Sequence, residues 1–180
     1  ARRVTTPRPS VLYEIGPAFG QRPGWYDNDT LAALHDARAA ALVAPADVLA
    51  LRTAGAIELR LGRLAAARAN LARAADLAPS DPDILLPLGE TLLRLGDLRL
   101  AATAYARAEQ VSPGNVQAHI GRGWASLLAG REREAAELWR PVIAATRNGP
   151  TLERMLDLYR RLGDRAAVAE VETAMGRMGR

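Results

Sequence analysis

The apolar positions in the middle of this chain recur every three or four residues. Leu85, Leu88, Leu92 and Leu95 follow this spacing, which predicts an amphipathic helix. After Gly96 the spacing starts again, and the second series consists of Leu98, Ala101, Tyr105 and Ala108. Because a glycine separates two helical patterns, the stretch predicts two helices joined by a tight turn.

The same pattern recurs along the chain with an offset of 34 residues. Gly55, Gly89 and Gly123 occupy equivalent positions within the first helix of three successive units. The glycines at the turns recur as well, and they are Gly62, Gly96, Gly130 and Gly163. Helix starts are indicated by capping residues at Asp47, at Asp81 before Pro82, and at Asn115. A repeat of this length indicates a stacked array of helical units.

The glycines inside the first helices indicate a recurring packing requirement, because each costs ~1 kcal/mol relative to alanine. We expect small residues of the second helices to face these glycines, so that the paired backbones approach closely. Those small residues are Ala67, Ala74, Ala101, Ala108 and Ala135. Pro87 inside a first helix and Pro141 inside a second helix each predict a kink or a local widening.

This pattern resembles the tetratricopeptide repeat, a two-helix unit with large, small and proline residues at set positions. In the central unit all the signature positions match, and they are Leu85, Leu88, Gly89, Leu92, Ala101, Tyr105, Ala108 and Pro113. The preceding unit departs at Glu58, where a large apolar residue is usual. The following unit departs at His119, Arg122 and Ser126. A fourth unit keeps Met155 and Tyr159, but it has Leu156 at the position where the first small residue is usual. The resemblance extends over roughly residues 47–176.

The resemblance implies an all-α fold, an α-solenoid of about four tetratricopeptide-like helix-turn-helix repeats. Within the repeat region, residues 47–180, the predicted repeats are about 48–81, 82–115, 116–148 and 149–180. Residues 30–46 predict a single helix that corresponds to half a repeat. Residues 1–29 predict an extended arm, because their prolines and glycines exclude a long helix.

The predicted arm is rich in aromatic side chains, unlike a solvated tail. It contains Tyr13, Phe19, Trp25 and Tyr26, and aromatic residues dominate the energetics of protein interfaces. Two interpretations are open. The arm packs on its own repeats and covers the first helix or the groove, or it docks on another protein.

The composition excludes several kinds of site. The chain has no cysteine, which removes disulfides, thiolate metal sites and cysteine nucleophiles. No stretch of its sequence approaches the ~20 apolar residues that span a bilayer.

Every basic residue other than histidine is arginine, a bias that indicates a GC-rich bacterial genome. A small first residue, Ala1, is typical of signal-peptide cleavage and indicates export, and a trimmed chain is the alternative.

The sequence lacks a constellation of residues for catalysis. His35 and His119 have no carboxylate or second histidine at metal-ligand spacing, and Ser126 has no orienting group for a nucleophilic triad. Arginines alternate with carboxylates along the helices, which is typical of a solvated face. Aromatic residues that could stack on bases lie mostly outside the repeats. We therefore predict no enzyme activity, no metal, no cofactor and no nucleic-acid partner.

In tetratricopeptide proteins the first helices line a concave groove that binds partners. Together with the four arm aromatics, the resemblance assigns partner binding to Arg52, Leu59, Leu86, Glu90, Arg94, Trp124 and Leu127. Members that clamp a terminal carboxylate use Lys and Asn in the first unit and Lys and Arg in the third. The corresponding residues here are Arg52, Ala56, Gln117 and Gly121, so this clamp is absent. Trp124 is either a binding hot spot or a buried side chain.

The resemblance implies a noncovalent function with other protein subunits or peptides as partners. The favoured hypothesis is a scaffold or accessory subunit of a bacterial envelope or membrane-associated complex, for example in secretion, cytochrome maturation or photosynthetic assembly. This hypothesis places the chain in the periplasm or at a membrane, and a cytoplasmic location stays open. The alternative is a regulatory peptide-binding module from a larger protein.

Overall fold

The computed structural model describes residues 28–178, and the all-α prediction is confirmed in this range. The helices are α1 (Asn28–Val43), α2 (Val48–Arg60), α3 (Leu64–Leu77), α4 (Pro82–Arg94), α5 (Leu98–Val111), α6 (Val116–Leu128), α7 (Glu132–Trp139), a 3-10 helix (Arg140–Ala145), α8 (Gly149–Leu162) and α9 (Arg165–Met178). The predicted arm lies outside the described residues except for Asn28 and Asp29, which already belong to α1. Helix α1 thus begins earlier than predicted, and the carboxylate of Asp29 suits the positive end of a helix.

The described residues fall into two compact units. The N-terminal unit, residues 28–115, contains α1 to α5, and the C-terminal unit, residues 116–178, contains the rest. In the N-terminal unit α2 packs against α3, α4 packs against α5, and α3 also contacts α4. In the C-terminal unit α6 packs against α7, and α8 packs against α9. Each unit therefore contains consecutive helix pairs, and the N-terminal unit also contains the single helix α1.

The turns and helix starts follow the local chemistry of the sequence. Left-handed backbone with φ of 71°, 82°, 77° and 74° occurs at Gly62, Gly96, Gly130 and Gly163. The Asp47 side chain accepts a hydrogen bond from the backbone N–H of Ala50, and Asp81 accepts one from Asp83. These observations confirm the predicted glycine turns and two of the predicted caps.

The mid-helix glycines have a different neighbour from the one predicted. A Cβ added to Gly55 would lie 2.6 Å from Leu71 Cγ, and one added to Gly89 would lie 2.8 Å from Tyr105 Cε1. A Cβ at Gly123 would lie 2.0 Å from the indole nitrogen of Trp139. The nearest neighbour of each glycine is therefore a large side chain of the second helix, and at Gly55 the backbone nitrogen of Leu71 also lies 3.3 Å from the added Cβ. The glycines make room for one large side chain of the second helix, because that side chain crosses the first helix at this point.

A buried ionic cluster replaces an apolar contact in the N-terminal unit. Glu58 of α2 is 1% exposed, although its repeat position usually holds a large apolar residue. The Arg38 Nε of α1 donates to Glu58 Oε1 at 2.9 Å, and the Arg38 Nη2 donates to the same oxygen. Asn70 Nδ2 of α3 donates to Glu58 Oε2 at 2.9 Å. One carboxylate thus joins three helices, and both of its oxygens are satisfied.

The two helical prolines have different effects. Helix α7 ends at Trp139, and Pro141 lies in the first turn of the 3-10 helix that follows. The sequence predicts a kink or a local widening at Pro141. The backbone instead forms a 3-10 helix there, which is narrower than an α-helix. A ring without an N–H fits the first turn of such a helix. Helix α4 continues through Pro87, and the buried Thr91 hydroxyl donates to the Pro87 carbonyl at 2.7 Å.

An arginine contact recurs with the repeat period in the N-terminal unit. Arg73 Nη2 of α3 donates to the backbone carbonyl of Pro45 at 2.8 Å. The same atom of Arg107, in α5, donates to the carbonyl of Pro79 at 2.8 Å. Both donors and both acceptors lie 34 residues apart. Each second helix is thereby held to the turn that precedes its own repeat.

Candidate protein-binding surface

Two neighbouring first helices of the N-terminal unit carry five of the seven partner-binding candidates that lie within the described residues. Arg94 Nη1 of α4 donates to the backbone carbonyl of Leu59 in α2 at 3.2 Å. Near the other end of these helices, Arg52 Nη1 donates to Asp83 Oδ2 at 3.1 Å. Leu86 is half-buried on α4, whereas the Leu59 side chain is buried. The structure thus joins α2 to α4 through the side chains of Arg52 and Arg94, with Leu59 contributing its carbonyl.

Glu90 is the acidic residue of this junction and is nearly buried. Its side chain is 12% exposed, and its Oε1 lies 3.7 Å from Arg94 Nη1. Burial raises the pKa of the Glu90 carboxyl to about 7, and the Arg94 guanidinium acts in the opposite direction. The carboxyl is therefore close to half ionised at neutral pH.

Tyr105 of α5 is electrostatically coupled to Glu90. Burial and the negative charge of Glu90 both raise the pKa of the Tyr105 phenol. The ring carbon that bears the hydroxyl, Cζ, would lie 2.9 Å from a Cβ at Gly89, the residue before Glu90. The Tyr105 hydroxyl is buried and has no hydrogen-bond partner among the described residues. The Tyr105 ring of α5 thus packs on α4 at Gly89, the residue before Glu90.

The raised pKa of Glu90 predicts a pH-dependent cost to folding. Between pH 4.5 and about 7 the native state binds this proton more tightly than the unfolded chain, so stability falls as the pH rises. We expect Glu90→Gln to be about 2–3 kcal/mol more stable than the wild type at pH 8, and equal to it near pH 4.5. Urea unfolding at both pH values measures the difference. The control Glu137→Gln, at an exposed position, should have the stability of the wild type at both pH values. If Glu90→Gln differs from the wild type by the same amount at both pH values, the raised pKa of Glu90 is contradicted.

In the C-terminal unit, Trp124 belongs to the interior. Its side chain is 2% exposed and meets Trp139 edge to face, with ring centroids 5.6 Å apart and planes at 73°. The Arg154 guanidinium carbon lies 5.9 Å from the Trp124 centroid, within cation–π range. Of the two alternatives for Trp124, this position supports the buried one. Leu127 is half-buried and stays a candidate for partner contact.

The remaining candidates lie outside the described residues. Tyr13, Phe19, Trp25 and Tyr26 belong to the part of the chain for which no structure is described, so their role in binding stays a prediction. The sequence gives no sign that the Tyr105 hydroxyl lacks a hydrogen-bond partner, because Tyr105 occupies a repeat position that normally packs in the core. Sequence reasoning also missed the Glu58 cluster, although a carboxylate at an apolar repeat position was the signal for it.

The described residues contain no group of three or more histidines, cysteines or carboxylates that could hold a metal ion. Among the same residues, no helix is both long and apolar enough to cross a membrane. His35 is exposed beside Asp36, with 3.4 Å between Nδ1 and Oδ1.

Comparisons with known proteins agree with this description. Residues 86–150 match the family model of the tetratricopeptide repeat. A crystal structure of MamA superposes with a TM-score of 0.72 at 18% identity, covering 85% of this chain and 95% of that one. TTC0263, described as a thermophilic TPR protein in Thermus thermophilus, gives 0.64 at 22% identity, covering 83% and 81%. No curated protein sequence matches the chain.

Consecutive helix pairs, glycine turns and a fixed period define a helical repeat protein. Residues 86–150 therefore carry tetratricopeptide-repeat sequence. The described helices have an all-α solenoid fold similar to that of MamA and TTC0263.

Proposed function

We propose that this chain is a non-enzymatic scaffold or accessory subunit that holds protein partners on its first helices. The observation that carries the proposal is the junction of α2 and α4, where Arg52 pairs with Asp83, Arg94 pairs with Glu90, and Leu86 of α4 is half-buried. Surfaces that combine apolar and charged side chains are typical of protein interfaces. The fold supports the same function class, since tetratricopeptide repeats present continuous surfaces to partners.

The finer proposal is that the partners belong to a bacterial envelope or membrane-associated complex. Its bacterial part is supported by the arginine-only basic composition, which is a property of the sequence. The alternative is a regulatory module that binds a short peptide reversibly. A subunit should co-purify with its complex in a fixed ratio, whereas a peptide receptor should exchange its ligand within minutes of dilution.

A matched pair of leucine substitutions tests the binding surface. Leu86→Arg places a charge on the first-helix surface, and Leu100→Arg places the same charge on the second helix α5, where Leu100 is exposed. We expect Leu86→Arg to lose partners that the tagged full chain retains from membrane and soluble fractions of its source. Leu100→Arg should retain them. Circular dichroism establishes that both variants are folded, and quantitative mass spectrometry gives the ratio of partner to chain.

Three outcomes are informative. Loss with Leu86→Arg alone supports partner binding at α2 and α4, and a fixed ratio in the membrane fraction supports the accessory-subunit proposal. Exchangeable short peptides in place of subunits would favour the regulatory alternative. Equal retention by both variants would contradict binding at this surface.

A further inference from the structure

A groove in the N-terminal unit lies between the second helices α3 and α5. Helix α3 packs against α4, and α4 packs against α5, so that α4 forms the floor of this groove. Leu88 and Leu92 of α4 line the floor, and Leu100 of α5 lines the edge. None of the partner-binding candidates within the described residues lines it. We call it the second-helix groove.

The groove exists because both of its walls carry small side chains. Ala72 of α3 and Ala104 of α5 line it, and an alanine side chain ends at Cβ. Neither wall therefore fills the space above α4. Leu88 and Leu92 keep exposures of 8% and 6%, whereas Leu85 of the same helix is fully buried. Two leucines thus remain accessible to an apolar group that enters the groove.

The size of the groove suits side chains of a protein partner. Its volume is about 210 Å³. Pockets that hold drug-sized molecules are larger, at ~300–1,000 Å³. Leu100 is 44% exposed and extends the apolar surface at the edge. Apolar side chains that fill small pockets dominate the energetics of protein interfaces, so we expect an occupant to insert one or two of them.

Both walls of the groove also carry an arginine. Arg68 of α3 and Arg107 of α5 line it, and none of its described lining residues is a carboxylate. Arg68 donates to Asp97 at 2.9 Å, and Arg107 donates to the backbone carbonyl of Pro79 at 2.8 Å. Each of these bonds uses one of the several N–H donors of a guanidinium, and the carbonyl contact does not neutralise the charge of Arg107. The groove is therefore apolar on its floor and positively charged on its walls.

This combination favours an acidic protein segment over a nucleic acid. Carboxylates form strong, often bidentate hydrogen bonds with guanidinium groups, and an apolar side chain beside them can occupy the floor. A nucleic acid would offer phosphates to the arginines but no apolar group to Leu88 and Leu92. Its bases stack on aromatic side chains, and none of the described lining residues is aromatic.

We propose that the second-helix groove binds a segment of a partner protein in which a large apolar side chain lies between carboxylates. The apolar side chain packs on Leu88 and Leu92, and the carboxylates bond to Arg68 and Arg107. Because the groove belongs to the second helices, this inference does not depend on the proposed function of the first helices. A scaffold with both surfaces joins two partners.

An unbiased peptide selection tests the composition of this ligand. A display library of short random peptides is bound to the full chain, and peptides that also bind Ala72→Phe are discarded. The phenylalanine fills the groove without changing its charge, and Thr103→Trp fills it from α5 as a second blocking variant. Circular dichroism establishes that both variants are folded. We expect the remaining peptides to place Leu, Ile, Met or Phe between Asp or Glu residues.

A charge substitution then tests the electrostatic contribution. Thr103 is exposed and lines the groove, and its hydroxyl donates to the Arg99 carbonyl of its own helix at 3.0 Å. Thr103→Glu adds a carboxylate one turn before Arg107, a spacing that favours an ion pair, whereas Thr103→Gln has the same size without the charge. For a selected peptide, we expect the Kd of Thr103→Glu to be about tenfold higher than that of Thr103→Gln. Fluorescence anisotropy with the labelled peptide measures both values.

Three results would overturn the proposal. The first is a selection in which every enriched peptide binds the blocked variants as well as the wild type. The second is a set of groove-dependent peptides without carboxylates. The third is an equal Kd for Thr103→Glu and Thr103→Gln, which would mean that the charge of the walls contributes nothing to binding.

Leu86→Arg separates this proposal from the proposed function, because Leu86 does not line the groove. Leu86→Arg should bind the selected peptides as the wild type does. If it loses them while Thr103→Glu keeps them, the peptides bind the first helices and the groove proposal is wrong. If Thr103→Glu loses them while Leu86→Arg keeps both the peptides and the partners, the groove binds and the first-helix surface does not. Leu100→Arg alters the edge of the groove and should affect only ligands of the groove.

Discussion

Gly123→Ala should destabilise the C-terminal unit by about 3 kcal/mol, although alanine is the better helix former. The added Cβ would lie 2.0 Å from the indole nitrogen of Trp139, with two further ring atoms within 2.6 Å. The ring is fully buried, and its N–H donates to the Ile120 carbonyl at 3.1 Å. Because a rigid indole cannot bend away, either the hydrogen bond or the helix packing must change.

Urea unfolding measures this loss, and two variants identify its cause. Gly123→Ala combined with Trp139→Leu should lose less than the two single changes added together, because a smaller side chain leaves room for the methyl group. Gly55→Ala, which meets the flexible Leu71, should cost less than Gly123→Ala. A Gly123→Ala variant as stable as the wild type would show that the indole can move away. It would contradict the prediction that Gly123 is needed to make room for Trp139.

Arg38→Met should destabilise the N-terminal unit by about 2–4 kcal/mol. The substitution removes the cationic partner of Glu58, a carboxylate that is 1% exposed and lies among three helices. Asn70 would still donate to one oxygen, but the other would lose both of its charged donors. An unpaired buried carboxylate is costly in any protein interior, and part of α1 would be expected to detach to hydrate it.

The chain provides a matched control for this prediction. Arg68 pairs with Asp97 at 2.9 Å, but both side chains are substantially exposed, so Arg68→Met should cost under about 1 kcal/mol. Arg38→Met together with Glu58→Leu should return most of the lost stability, because an apolar pair needs no hydration. Urea unfolding of all three variants is the measurement. Equal losses for Arg38→Met and Arg68→Met would mean that Glu58 does not depend on its ion pair.

Much of this fold could be predicted from the sequence because its determinants are local and repeated. Gly62 and Gly96 mark helix ends through their backbone preference, and Asp81 before Pro82 marks a helix start. Such signals act within a few residues, so no knowledge of the tertiary structure is needed to read them. The period of 34 residues then extends each local assignment to the next unit.

The contacts between helices could not be read in the same way. The repeat pattern indicated that Gly89 is close to a second helix but not that Tyr105 is the side chain that fills the space. Which residue crosses a helix depends on the packing angle and on the size of its neighbours, and neither is encoded by spacing. This crossing brings the Tyr105 ring to Gly89, the residue before Glu90.

The sequence also does not show which of the residues assigned to partner binding are exposed to solvent. The repeat resemblance treats Trp124 and Leu59 as groove positions, yet both side chains are buried. At Glu58 the sequence indicates the unusual residue but not its partners. Its departure from the repeat pattern was visible in the sequence, but the compensating residues, Arg38 and Asn70, lie on other helices and have no fixed spacing from it.

The contacts of Arg73 with Pro45 and of Arg107 with Pro79 have a consequence for cooperativity. In a one-dimensional array, the coupling free energy between nearest neighbours determines whether repeats melt singly or together. Each guanidinium adds to that coupling, because its acceptor lies in the turn before its own repeat. The residue 34 positions after Arg107 is Pro141, which has no donor, so the series stops after two members. Within residues 28–115, the two contacts therefore favour cooperative melting of adjacent repeats over the melting of single repeats.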